Sequence, residues 1–306
     1  MKKTAVIFAG QGSQYEKQGA LLYEKFPEIR DIYDDLGEKL KQISFEGSIK
    51  EISQTENLQP IMVAFQLAVL RLIKDKVPNI SATCGLSLGE YSAITLAGIV
   101  DEKHALRLVK KRGELMGEAS KKVRSKMLAF VNASAEQVRE LIEENGELNG
   151  RVYVANINAP TQIVASGEDE AVDILKEKAR EKRFIAKPLA VSGAFHTPFM
   201  ESARTGFCRY IKEDEFDRPV IDYYPNLTGE KYNGQDMKEV LPNQITSPVL
   251  LYKTFENMVN DGINHFVEIG PGGVLSNIIR RNFNGVAIEA LKNDEDVIAF
   301  LSRQPD

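Results

Sequence analysis

Short apolar runs that end in glycine-rich turns, each followed by a stretch of helical periodicity, constrain this chain more than any other feature. TAVIFA (Thr4–Ala9) runs into the turn Gly10–Gln14, and ISATC (Ile80–Cys84) runs into GLSLGEYSA (Gly85–Ala93). NHFVEIG (Asn264–Gly270) runs into PGGVLSNIIRRN, which starts a helix, and GVAIEAL follows as a further strand. Between the first two strands lie helical stripes up to about Lys41 and a strongly apolar helix, Leu58–Val77. That helix is expected to be entered through Pro60, because proline is tolerated in a first turn. Another helix is expected over Asp101–Ser120. Strands alternating with helices in this rhythm predict an α/β core with a mainly parallel sheet.

From about Met127 the rhythm changes. MLAFVNA reads as a strand, Glu136–Asn145 as a helix, and RVYVANIN and TQIVASG as two strands joined across Ala159-Pro160. Glu168–Lys182 is a further helix and RFIAKPLAV a last strand. The order β-α-β-β-α-β is ferredoxin-like. The expected organisation is an inserted small domain over residues 124–190, with 1–123 and 191–306 forming the large domain and the chain returning to it near Ser192.

The 306 residues leave room for one large domain with an insertion. No segment approaches ~20 consecutive apolar residues, so no membrane span is expected. The opening MKKTAVIFAGQG has two lysines, but its apolar run, Ala5 to Ala9, is too short for a secretory signal and reads as a buried strand. Two cysteines, Cys84 and Cys208, are too few for a disulfide framework, and a reduced, buried Cys84 in a cytoplasmic protein is expected. A net charge of −5 argues against nucleic-acid binding. There is no zinc spacing and no P-loop, so no metal site is expected.

Gly85, Ser87 and Gly89 have the Gly-x-Ser-x-Gly spacing of a nucleophile elbow, in which a strand folds sharply back into a helix and lifts the serine hydroxyl. Glycine and serine also gather at ordinary helix starts, so the spacing alone leaves both readings open. A nucleophilic serine needs a base, and only three histidines are available. His104 falls in the first turn of a helix and is expected to be exposed, and His265 stands at a strand boundary. His196, in VSGAFHTPFM, lies in a loop where the chain re-enters the core, which places it ahead of the other two. A hydrolase of the Gly-x-Ser-x-Gly type would carry its histidine after the last strands. Here 110 residues with two more strands follow His196.

Arg112 lies three residues after Val109 and four before Met116, on the apolar face formed with Leu106 and Gly113. A guanidinium there needs an anionic partner or must snorkel outward.

Seven blocks, GQGSQ (Gly10–Gln14), QP (Gln59-Pro60), GLSLGEY (Gly85–Tyr91), RGELM (Arg112–Met116), GAFH (Gly193–His196), QITSPV (Gln244–Val249) and EIGPG (Glu268–Gly272), stand in register. In order and spacing they resemble the malonyl-CoA:acyl carrier protein transacylases, including the acyltransferase domains of polyketide synthases, over about residues 4–290. The resemblance implies an α/β-hydrolase-like large domain with a ferredoxin-like insertion. It also implies a ping-pong acyl transfer in fatty acid biosynthesis. Ser87 would take malonyl from malonyl-CoA and pass it to the phosphopantetheine thiol of holo acyl carrier protein, with no permanently bound cofactor.

In that scheme His196 is the general base, oriented by the main-chain carbonyl of Gln244 in place of an acidic triad member. The N–H groups of Gln11 and Leu88 form the oxyanion hole. The glycine pair around Gln11 is otherwise a plain turn, since Tyr15 stands where a dinucleotide fingerprint has its third glycine. Arg112 would clamp the free carboxylate of malonyl, with Met116 on the same wall. Phe195 would crowd a methyl branch and so favour malonyl over methylmalonyl. Leu86 departs from the family, which usually has histidine before the nucleophile, and Ala9 replaces the usual proline before GQG.

Acyl carrier proteins are acidic, so docking calls for a local basic patch. The candidates are Lys121, Lys122, Arg124 and Lys126 at the entry to the insertion, Lys182, Arg183 and Lys187 near its exit, and the pair Arg280 and Arg281. The alternatives are a trans-acting polyketide acyltransferase, a thioesterase-like hydrolase, which would lack the clamp of Arg112, and a non-catalytic scaffold.

Overall fold

A computed structural model describes residues 2–189 and 193–303. Among the described residues nine strands fall in two sheets. They are β1 (Thr4–Phe8), β2 (Ile80–Gly85), β3 (Ser125–Phe130), β4 (Val152–Ala159), β5 (Gln162–Glu168), β6 (Ala186–Pro188), β7 (Asp222–Tyr223), β8 (His265–Ile269) and β9 (Ala287–Leu291). One sheet has the order β7-β2-β1-β8-β9, and every pairing in it is parallel. The other is antiparallel, in the order β4-β5-β3-β6. With the helices Ala135–Glu143 and Asp169–Glu181 between its strands, that second sheet has the ferredoxin-like arrangement read from the sequence.

The central strands of the parallel sheet are covered on both faces, which is why they are mostly apolar. Every residue of β1 is buried. Val6 and Phe8 join the larger core, and Ala5 and Ile7 join a separate cluster with Cys84, Phe255 and Phe266. The antiparallel sheet has its own core, in which Leu128, Phe130, Val138 and Leu175 meet. The small sheet is tied to the segment between the helices Met237–Thr246 and Leu251–Asn260, where Ile157 N donates to the Val249 carbonyl and Val249 N to the Ala155 carbonyl, both at 2.9 Å. No helix among the described residues is long and apolar enough to cross a membrane.

Three local readings need correction. The apolar helix spans Thr55–Ile73, so Pro60 is its sixth residue and not its entrance. Lacking an N–H, Pro60 leaves one carbonyl of the first turn without its helical donor. The strand expected over 183–191 is limited to Ala186–Pro188, because Arg183 takes a φ of 63° and turns the chain out of extended geometry. Ala190, Val191 and the expected return near Ser192 lie outside the described residues. His104 is half-buried rather than exposed, with Nε2 3.2 Å from Asp214 Oδ2 and its ring 5.6 Å from that of Phe216.

The turn after β2 is dictated by two close backbone approaches. A Cβ on Gly85 would lie 2.1 Å from the Gly89 carbonyl, and one on Gly89 would lie 2.5 Å from the Phe8 carbonyl oxygen. Only glycine fits at either place, and Ser87 between them is forced to a φ of 55°. Gly89→Ala is therefore expected to lower the stability measured by urea unfolding by ~3 kcal/mol. Gly146→Ala, where an added Cβ meets nothing within 4 Å, should leave it unchanged or raise it by up to about 1 kcal/mol.

Candidate active site

The strained turn aims Ser87 at the loop carrying His196, itself held at a φ of 61°. Ser87 Oγ lies 2.8 Å from His196 Nε2, and His196 Nδ1 lies 2.9 Å from the Gln244 carbonyl oxygen. A carbonyl only accepts, so Nδ1 carries the proton and Nε2 is free to accept from the serine hydroxyl. The imidazole is 4% exposed. Burial, with the nearby Arg112 cation, depresses its pKa from the usual 6.5 to about 4, against the opposing pull of the main chain at Gln244 and Ser247. The other two histidines are elsewhere, and His265 Nδ1 meets Thr4 Oγ1 at 3.1 Å.

Arg112 is 1% exposed and reaches the same serine. Its Nη2 donates to Ser87 Oγ at 3.1 Å and to Gln244 Oε1 at 2.8 Å, and its Nη1 donates to Gln59 Oε1 at 2.6 Å. The guanidinium carbon lies 5.6 Å from the centre of the Tyr91 ring. It does not snorkel, and among the described residues it touches no carboxylate. Its Nε has no hydrogen-bond partner among the described residues. Burial pulls its pKa down, while Tyr91 and Glu90 pull it up.

Behind these groups lies a polar network that the sequence reading missed. Glu90, the first helical residue after the elbow, has no exposed surface. Its Oε1 accepts from the Tyr223 hydroxyl and from Asn226 N at 3.1 Å, and its Oε2 accepts from Gln244 Nε2. Asn226 in turn accepts from Ser87 N at 2.7 Å and donates to the Gly85 carbonyl at 2.5 Å. Gln244 Nε2 also donates to the Ser87 carbonyl at 2.9 Å. The elbow is thus pinned from outside its own turn. Burial raises the Glu90 pKa, and Tyr223, Gln244, Asn226 and Arg112 act against that rise.

A cavity of about 280 Å³ opens over Ser87. Gln11, Leu86, Arg112, Met116, Phe195 and His196 all line it. Leu88 does not, since its side chain is buried in the core, and only its main chain faces the elbow. The N–H groups of Gln11 and Leu88 have no acceptor among the described residues. The far wall brings Asn156, Asn158 and Gln162 from the antiparallel sheet, residues that strand alternation alone does not single out. Among the described residues no cluster of three or more His, Cys, Asp or Glu could hold a metal.

The basic candidates are less uniform. Lys121 sits 3.5 Å from Glu56, Lys126 pairs with Asp169 and Asp173, and Lys182 pairs with Glu144. Arg280 donates to the Ile288 carbonyl. No ion pair is found among the described residues for Lys122, Arg124, Arg183, Lys187 or Arg281.

Comparison with known proteins places this geometry. The profile of the acyl transferase domain family matches residues 6–301. The malonyl CoA-acyl carrier protein transacylase of Bacillus subtilis is 34% identical over 317 aligned positions, covering 100% of this chain and 99% of that protein. The crystal structure of MCAT from Streptococcus pneumoniae superposes with a TM-score of 0.91 at 33% identity, covering 99% of this chain and all of that one. A malonyl-transacylase solved in complex with its type II PKS acyl-carrier protein gives a TM-score of 0.91 at 30% identity, covering 99% of this chain and 100% of that one. The fold is accordingly an α/β-hydrolase-like parallel sheet with a small ferredoxin-like sheet, and the chain belongs to the acyl transferase domain family.

Proposed function

We propose that this chain is a malonyl-CoA:acyl carrier protein transacylase that works through a malonyl-serine intermediate. The observation that carries the reading is Ser87 Oγ lying within hydrogen-bond reach of both His196 Nε2 and Arg112 Nη2. As Oγ attacks the thioester carbonyl of malonyl-CoA, its proton passes to Nε2. The tetrahedral oxyanion is received by the Gln11 and Leu88 amides, the latter at the positive end of a helix. Collapse expels the coenzyme A sulfur, which takes the proton back from Nε2, and leaves malonyl on Ser87. The phosphopantetheine thiol of acyl carrier protein then repeats the sequence in reverse.

Arg112 supplies substrate choice. A malonyl carboxylate offers an anion to a buried guanidinium whose Nε is unpaired, whereas an acetyl group offers none. Phe195 and Leu86 line the wall beside it. Residues 1–123 with 191–306 form the catalytic body, and 124–190 form the small domain that closes the cavity from the far side. Carrier docking falls to the basic residues not already spent in local ion pairs, namely Lys122, Arg124, Arg183, Lys187, Arg280 and Arg281. A polyketide carrier is the second reading, favoured by the neighbour solved with its type II PKS carrier. The same chemistry serves both, and turnover with each carrier separates them.

Mixing with malonyl-CoA should give a malonyl adduct seen by intact mass spectrometry, lost when holo acyl carrier protein is added and absent from Ser87→Ala. A protein that turns over without any adduct would overturn the covalent route. Because His196 is held near pKa 4, it stays a neutral base well below 6.5. Adduct formation should therefore be flat from pH 8 to about 5, with its acid limb close to pH 4; a limb at 6.5 would contradict a buried base. Arg112→Ala should reduce malonyl-serine formation by about 10- to 100-fold, the value of a charge-assisted contact. Acetyl-serine formation should change little, and equal losses on both substrates would assign Arg112 a structural role.

A further inference from the structure

We infer that Glu90 is a positioning residue for acyl transfer, a carboxylate that fixes the Gln244 side-chain amide and, through it, the Arg112 clamp. The inference rests on the transacylase reading above and deepens it.

The argument is one of hydrogen-bond polarity. A guanidinium can only donate, so the atom of Gln244 facing Arg112 Nη2 must be its oxygen. The amide nitrogen is then turned the other way, and both of its neighbours, Glu90 Oε2 and the Ser87 carbonyl, must accept. On the other carboxyl oxygen, the Asn226 N–H is an obligate donor. The Tyr223 hydroxyl, which can rotate, completes the set. Fixed donors, Asn226 N and Gln244 Nε2, face the two oxygens of Glu90, and only the rotatable Tyr223 hydroxyl could accept there. An ionised carboxylate accepts from all three, whereas a protonated one has Tyr223 alone to donate to and loses that bond as an acceptor.

The consequence is a cation and an anion at opposite ends of one amide, each buried and neither touching the other. The spacing has a use. A direct bidentate Arg–carboxylate pair would hold the guanidinium fork with a charge, whereas here the fork is held by neutral oxygens, one of which, Ser87 Oγ, is the acyl acceptor itself. The main chain of the same Gln244 holds His196 Nδ1. Glu90 also fixes Asn226, which holds the Ser87 N–H. Of nucleophile, base and clamp, only the clamp hangs on the Gln244 side chain that Glu90 orients, since the main chain holds His196.

The test is Glu90→Gln. An amide at that place sets its NH2 against the Asn226 N–H, or against the NH2 of Gln244, which can escape only by flipping its own NH2 against Arg112. Malonyl-serine formation should fall by about tenfold or more, the scale of one charge-assisted contact, while acetyl-serine formation falls much less. Combined with Arg112→Ala, it should not lower the malonyl-to-acetyl ratio further. Equal losses on both substrates, additive with Arg112→Ala, would mean that Glu90 merely supports the fold and would overturn the inference. Tyr223→Phe removes one donor and keeps the charge; should Glu90→Gln not fold, it carries the test through the same ratio, shifted in the same direction by less. An unchanged ratio in the folded variants would remove Glu90 from the site even though wild type forms its adduct. A wild type that forms no malonyl adduct would instead remove the transacylase reading itself.

Discussion

A guanidinium buried without a carboxylate contact is the constraint around which this molecule is arranged. Taking such an ion out of water costs several kcal/mol unless its surroundings compensate. Arg112 is compensated by neutral oxygens of Gln59, Ser87 and Gln244, by the face of Tyr91, and by Glu90 one amide further on. These groups come from the helix Thr55–Ile73, the elbow with its following helix, and the helix Met237–Thr246. Keeping the arginine inside therefore requires three distant segments to meet at one place, and their meeting point is the cavity.

The second requirement is backbone strain, placed where packing can hold it. Ser87 and His196 both adopt left-handed φ values without being glycine, which costs on the order of 1–3 kcal/mol each. Ser87 is held by Gly85 and Gly89 pressed against neighbouring backbone and by Asn226 across the turn. Phe195, buried beside His196, belongs to the larger core. Packed on both faces, the parallel sheet supplies the rigidity that keeps these two residues facing each other.

Much of this was legible in the sequence, and the exceptions have physical causes. β1, β2 and β8 could be read because strands buried on both faces are short, mostly apolar runs without the alternation of a half-exposed strand. The two-residue β7 is too short to carry any pattern. Pro60 misled because proline marks helix starts on average, while here a nearly fully buried helix tolerates it at its sixth residue. Ser87 was visible in its glycine spacing, His196 through scarcity of alternatives, and Arg112 through its position on an apolar face. Glu90 was not, because an acid in the first turn of a helix is the ordinary complement to the helix dipole, and nothing local marks it as buried. Asn226 lies 139 residues from the serine it holds, and no local pattern reaches that far. The resemblance to a family supplied the main-chain role of Gln244, but the three bonds of its side chain emerge only in three dimensions.

The imidazole held by a carbonyl has a consequence for what finally releases the acyl group. With its pKa lowered by burial and by Arg112, it is a weak base toward any oxygen nucleophile, and the Ser87 hydroxyl has the advantage over a passing water molecule of being held 2.8 Å from Nε2. A thiol, with a pKa of about 8.5, needs far less assistance and becomes the better nucleophile once ionised. A base weakened by burial and by Arg112 thus suits a nucleophile that ionises readily, and the site's low polarity becomes a preference for sulfur over oxygen as the group that removes the acyl chain.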